Sequence, residues 1–247
     1  MDKIVELSQV NKLLRGQFAV PKLDYIDTTP ELSRRNYTIK GIVTNLINQG
    51  YEDIIADVLP KNYAKLEDQI LMEELEESIL NKMNNRNPVM TDTELNTIFH
   101  AIQIWGGNTA RAFYFKENGG VENNFRVEAY RKAIDSILSG EIENAIGYFN
   151  ELNKINIAFA SKHFSFWTRS IQNSDNNGPR QLPILDSLTF KITYGKPTPN
   201  YRHYEHYLFN MYEVSAQIGI TIHSLERQLF NFADTEKGKE WISQRLR

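Results

Sequence analysis

Apolar residues recur along most of this chain at spacings of three and four, the period of a helix with one buried face. Between Asn36 and Gln49 the stripe is Ile39, Ile42, Val43, Leu46 and Ile47, and Gly50 closes it. Tyr63 to Met83 reads as a helix with an acidic, solvated outer face. Thr91-Asp-Thr-Glu94 is a capping box, which predicts a helix running to Trp105 and stopping at Gly106-Gly107. Phe125 to Leu138 carries Tyr130, Ala133, Ile134 and Ile137 on one face and ends at Ser139-Gly140. Glu141 to Leu152 follows. Tyr201 to Ile218 carries Tyr204, Tyr207, Leu208, Met211 and Val214 and is capped by Gly219; a last helix starts near Thr221 with Ile222, Leu225, Leu229 and Phe232. Thr29-Pro30-Glu31 reads as an N-cap with proline at the first helical position. Ser174 to Gly178 reads as a polar loop ending at Pro179. Only Leu188 to Tyr194 has an extended, β-branched and aromatic character. The fold class expected is mainly α, with about ten short helices.

Composition changes this picture chiefly by exclusion. The 247 residues suffice for one large domain or two smaller ones, and 41% hydrophobic with 24% charged residues is ordinary for a globular chain. No apolar run approaches the roughly 20 residues needed to span a bilayer. The start, Met1-Asp-Lys-Ile-Val-Glu-Leu, is charged and lacks a signal-peptide core, so no membrane association and a cytoplasmic location are expected. The chain has no cysteine, which excludes disulfides, thiol nucleophiles and iron–sulfur clusters. The five histidines (His100, His163, His203, His206 and His223) show no metal-site spacing, and neither metal nor cofactor is expected.

The net charge of −3 is unevenly spread. Residues 1–153 carry 16 Lys and Arg against 23 Asp and Glu, whereas residues 154–247 carry 12 against 8. An anionic partner would meet the second part. That part holds Lys162, in Ile155-Asn-Ile-Ala-Phe-Ala-Ser-Lys162-His-Phe-Ser-Phe-Trp167, and Asp186, in Gln181-Leu-Pro-Ile-Leu-Asp186. The first stretch reads as a helix–hairpin–helix, with the second helix opening at Ser161 or Lys162. There the unpaired amides of a helix start would suit a phosphate and disfavour a protonated lysine. Burial among Phe159, Phe164 and Phe166 would act in the same direction and favour a nucleophilic amine. Asp186 reads either as a carboxylate partner of that lysine or as the N-cap of a following helix.

These residues resemble the helix–hairpin–helix superfamily of DNA glycosylases, in particular the archaeal branch of the 8-oxoguanine glycosylases that double as AP lyases. The resemblance covers about residues 90–235 and is best over 155–195. The usual hairpin of that family reads Leu-Pro-Gly-Val-Gly-Pro-Lys, whereas Ile155 to Lys162 contains no glycine. The resemblance implies a multi-helix fold with a cleft between two lobes, in which residues 91–247 form the glycosylase-like region, continuous with an N-terminal helical region, 1–90, of unassigned role. It implies a monomer acting on double-stranded DNA with a damaged or modified base, such as 8-oxoguanine. Lys162 and Asp186 match the family's catalytic pair. Trp105, Phe166, Tyr201 and His203 are candidates for contact with a flipped base. Ser161, Arg169, Arg180, Lys191 and Arg202 are candidates for contact with the DNA backbone. Two alternatives remain open: a glycosylase for another base, for example one in invading DNA, and a non-catalytic helix–hairpin–helix binding or interaction module.

Overall fold

Several helix ends in this chain are set by residues within four positions of the end, by side-chain caps at Thr91, Asp186, Thr221 and Thr235 and by left-handed glycines at Gly195 and Gly219. The computed structural model describes residues 18–21, 39–84, 90–107, 121–152, 155–171 and 180–246. The expected N-cap at Thr29-Pro30-Glu31, the stretch Asn36 to Thr38 and the polar loop Ser174 to Gly178 lie outside the described residues. Within them the protein is mainly helical: 77% is helix and there is no strand. The α-helices are α1 (Ile39–Asn48), α2 (Glu52–Val58), α3 (Asp68–Asn84), α4 (Asp92–Trp105), α5 (Val121–Leu138), α6 (Ile142–Glu151), α7 (Ile157–Ile171), α8 (Ser187–Tyr194), α9 (Tyr204–Ile218), α10 (Ile222–Asp234) and α11 (Glu236–Arg245). None is long and apolar enough to cross a membrane.

The chain forms two compact units, Arg34–Arg180 and Gln181–Arg247 with Met1–Ser33. In the first, α7 is the central element. Eleven of its 15 residues are buried, and it packs against α3, α4 and α5. A helix hydrophobic on one stripe suits a surface; one buried nearly all round belongs in a core. In the second unit, α8, α10 and α11 pack together and α9 packs on α10.

Thr91 makes the capping box read from its sequence, its side chain accepting from the Glu94 N–H while Glu94 accepts from the Thr91 N–H at 2.7 Å. Gly219 caps α9 in the left-handed conformation, φ 74°, as its position suggests. Other boundaries differ from expectation. Tyr63 to Met83 is not one helix. A 3-10 turn at Tyr63–Lys65 is followed by extended Leu66 (φ −82°, ψ 149°) before α3 begins. Tyr201–His203 is likewise a 3-10 turn ahead of α9. The largest difference is Leu188 to Tyr194, expected extended and found helical as α8. Its β-branched and aromatic residues favour a strand. The Asp186–Thr189 capping box at one end and left-handed Gly195 at the other override that preference. A Cβ on Gly195 would also lie 2.6 Å from the Arg245 carbonyl oxygen.

The core of the first unit contains a chain of polar groups. Trp167 Nε1–H can only donate, and it donates to the Tyr130 hydroxyl at 3.0 Å. The Tyr130 proton then goes to its remaining partner, His163 Nδ1, at 2.9 Å. The imidazole proton is thereby placed on Nε2, 2.8 Å from the Gln103 amide. The Gln103 amide nitrogen is placed against Nε2, and a half-turn of the carboxamide, which exchanges O and N, lets its carbonyl oxygen accept this proton. All four side chains are buried. Burial holds the His163 pKa well below the usual imidazole range, with nearby Lys162 adding to the effect. Burial also pushes His100 down to about 3.

Both imidazoles therefore stay neutral in the fold but take up a proton near pH 6.5 in the unfolded chain. Folded pKa below unfolded pKa means that this stability is complete above about pH 6.5 and is lost as pH falls, at up to about 2.7 kcal/mol per pH unit for two protons. Thermal unfolding followed from pH 7.5 to pH 5 should show this slope. In a His163→Gln variant the slope should be about half as steep.

Candidate functional site

The second helix of the hairpin starts earlier than its sequence suggests. Asn156 is the cap: its side-chain oxygen accepts from the Phe159 N–H at 3.3 Å and its carbonyl accepts from the Ala160 N–H at 2.9 Å. With α7 beginning at Ile157, Lys162 is its sixth residue and lies in the second turn. The partial positive charge of a helix start is confined to the first turn, so it does not act on this amine as expected. The burial expected of Lys162 is found. It is 3% exposed, while Phe164 and Phe166 are fully buried. The Lys162 Nζ donates to the Ala158 carbonyl at 2.8 Å, one turn back, and sits 4.8 Å from the centre of the Phe159 ring. A carbonyl oxygen and a ring face are both partners that attract a cation. The aliphatic stem lies along the end of α4, against Gly106.

Two of the aromatic candidates border this lysine. Trp105, the last residue of α4, meets Phe166 edge to face, ring centres 5.0 Å apart at 88°. Phe166 lies one turn beyond Lys162 on the same side of α7. Both rings are buried. Ser161 is fully buried too. Arg169 pairs with Glu76 of α3 at 2.6 Å, both side chains largely buried, and its guanidinium lies 5.6 Å from the Phe166 ring centre. The guanidinium expected to meet phosphate thus already has a carboxylate. Arg180, at the end of the same unit, is exposed.

The remaining candidates belong to the second unit. Asp186 is 8% exposed and caps α8. Its Oδ1 accepts the N–H groups of Leu188 and Thr189, each at 2.9 Å, and lies 3.2 Å from the Thr189 hydroxyl. The capping role read from the sequence is therefore met by one carboxylate oxygen. The other, Oδ2, accepts no hydrogen bond among the described residues. The extended segment that presents Asp186 has no sheet to pair with among the described residues. Three tyrosines of α9 take that role: Tyr204, Tyr207 and Tyr212 donate to the carbonyls of Pro183, Ile184 and Gln181 at 2.9, 3.0 and 2.5 Å. Burial raises the pKa of Tyr204 and Tyr207 well above the usual phenol range, so both remain donors. The apolar periodicity of α9 marked Tyr204 and Tyr207 as core residues; their hydroxyl bonds carry no local signal.

Lys191, half-buried on α8, lines a shallow groove of about 520 Å³ with Leu188, Asp234 and Lys239. His203 stacks on the buried Phe190 ring, centres 4.7 Å apart at 27°, and its Nδ1 accepts from the Asn200 N–H. Desolvation lowers its pKa, with Lys196 and His206 contributing. Tyr201 is half-buried and Arg202 exposed. Among the described residues no group of three or more acidic or histidine side chains could hold a metal ion. Comparison with protein-family models, with curated proteins and with solved structures returns no match.

The double duty of Asp186 separates by substitution. Asp186→Ala removes the cap and should lower stability by about 1 kcal/mol, whereas Asp186→Asn keeps a good cap and should cost only a few tenths. Urea unfolding of the two variants beside the parent protein measures both values.

Proposed function

We propose that this chain is a DNA N-glycosylase with AP lyase activity that removes 8-oxoguanine or a related modified base. The observation that carries the reading is Lys162, a lysine 3% exposed whose amine lies 4.8 Å from the centre of the Phe159 ring. Lysine is seldom placed so deeply. Asp186 adds support through its Oδ2, which accepts no hydrogen bond among the described residues and so offers one carboxylate oxygen to a substrate. The resemblance noted around residues 155–195 supplies the reaction class.

In this reading the target nucleotide is flipped out of the duplex. The Lys162 amine attacks the sugar C1′, the C1′–N bond breaks, and the base leaves with a proton. The ring C–O bond then opens to give a protonated Schiff base. Loss of a C2′ proton breaks the C3′–O bond and expels the 3′-side strand with the phosphate on its 5′ end, and water finally releases the lysine. The resemblance gives Asp186 the role of stabilising the positive charge that develops at C1′ and of accepting a proton. A non-catalytic helix–hairpin–helix module is the second reading. It is favoured by the Arg169–Glu76 pair, which removes one cation from the set available to phosphate.

Borohydride trapping on duplexes carrying 8-oxoguanine or an abasic site, followed by peptide mapping, tests the proposal. A covalent adduct on Lys162 is expected, and its absence on both duplexes with a folded protein would overturn the lyase reading. An adduct on abasic DNA alone would place the base specificity elsewhere. Lys162→Gln should abolish strand cleavage. Because the chain has no other thiol, Lys162→Cys treated with 2-bromoethylamine regenerates a single amine at this position and should restore part of the activity. Asp186→Asn should lose activity while remaining folded, which distinguishes its chemistry from its cap.

A further inference from the structure

We infer that Gly106 is a positioning residue for Lys162: its missing side chain is the slot in which the lysine stem lies. The backbone of Gly106 has φ −71° and ψ −7°, a right-handed conformation that any L residue adopts. Glycine is therefore not required there for its freedom at positive φ, although it ends a helix. It is required for space. A Cβ added at Gly106 would lie 2.7 Å from Lys162 Cδ and 3.1 Å from Cε. The nearest atoms in the way are the far part of a flexible side chain; the backbone carbonyl oxygen of Ile102, at 3.2 Å, is the next, and it needs to give by only a few tenths of an ångström. Alanine would displace the lysine rather than the helix.

The neighbouring contact makes the arrangement specific. Trp105 meets Phe166 and the next residue, Gly106, meets Lys162, so two successive residues at the end of α4 engage two residues one turn apart on α7. The Trp105–Phe166 contact sets the depth of α4 against α7, and Gly106 leaves the amine a path to the Ala158 carbonyl. Pushing the stem aside would break that hydrogen bond and re-aim the amine. For a nucleophile, misplacement by about 1 Å can cost a hundredfold in rate. The catalytic consequence rests on the proposed role of Lys162 as nucleophile; the packing consequence does not.

The experiment compares the parent protein, Gly106→Ala and the control Gly147→Ala, whose added Cβ on α6 meets nothing within 4 Å. Competitive acetylation with limiting acetic anhydride, mapped by mass spectrometry, reads the reactivity of Lys162 against the other lysines. In Gly106→Ala it should rise about tenfold, the scale of one lost hydrogen bond to a charged group, with the melting temperature little changed. Strand cleavage should fall about 10- to 100-fold in kcat with little change in KM. The control should match the parent in both. Unchanged Lys162 labelling overturns the inference whatever the activity does. Raised labelling with undiminished cleavage overturns the catalytic part of it. Raised labelling where neither protein cleaves DNA upholds the positioning and instead removes the nucleophile reading.

Discussion

A helix buried on nearly every side must find a partner for each polar group it carries, and α7 is such a helix. It brings Ser161, Lys162, His163, Ser165, Thr168 and Ser170 into the interior. Each unpaired polar group there would cost about 1–3 kcal/mol. The hydroxyls of Thr168 and Ser170 fold back onto the Phe164 and Trp167 carbonyls of their own helix. His163 reaches across to α4 and α5 through Gln103 and Tyr130, and Arg169 reaches α3 through Glu76. These bonds tie the helices around α7 to it at defined heights. Apolar packing alone would leave more freedom to slide, because it is not directional.

Lys162 gains its setting from the same constraint. Its neighbour in sequence, His163, points into the core on one side, held by directional bonds. One turn on, Phe166 is held against Trp105. Between them the lysine stem runs along Gly106, and its amine meets the Ala158 carbonyl and the Phe159 ring. The position of the amine is thus a by-product of how a crowded helix satisfies its polar groups.

Asp186 is held by a different solution to the same problem. The segment 181–185 is extended in a protein whose described residues contain no strand, so its carbonyls have no ladder to join. The hydroxyls of Tyr204, Tyr207 and Tyr212 accept that task from one helix, α9. The far end of α8 is closed with equal care. The Ile192 carbonyl accepts from the Trp241 indole, and the Thr193 carbonyl accepts from Arg245 and from the Ala19 N–H. Positive charge and donors at a helix C-terminus complement its dipole. Asp186 therefore caps a short helix that is anchored at both ends.

Much of the fold was legible in the sequence because its signals are local. The Thr91–Glu94 box, the stop after Trp105 and the Gly219 cap each involve residues within about four positions, where chain connectivity supplies the encounter. The 3.6-residue period identified α1, α5, α9 and α10, and the capping box identified α4. The same local reasoning failed at α8, where strand-like residues are helical because of Asp186, Thr189 and Gly195. It also failed at the start of α7, where Asn156 carries no stronger signal than Ser161. Tertiary structure alone decided which buried groups meet. Gln103 and His163 are 60 positions apart, and Glu76 and Arg169 are 93. Gly106 is 56 residues from the lysine it accommodates. Such pairs are selected by shape and by the cost of an unsatisfied polar atom in a dry interior, and neither is expressed in the spacing of residues along one chain segment.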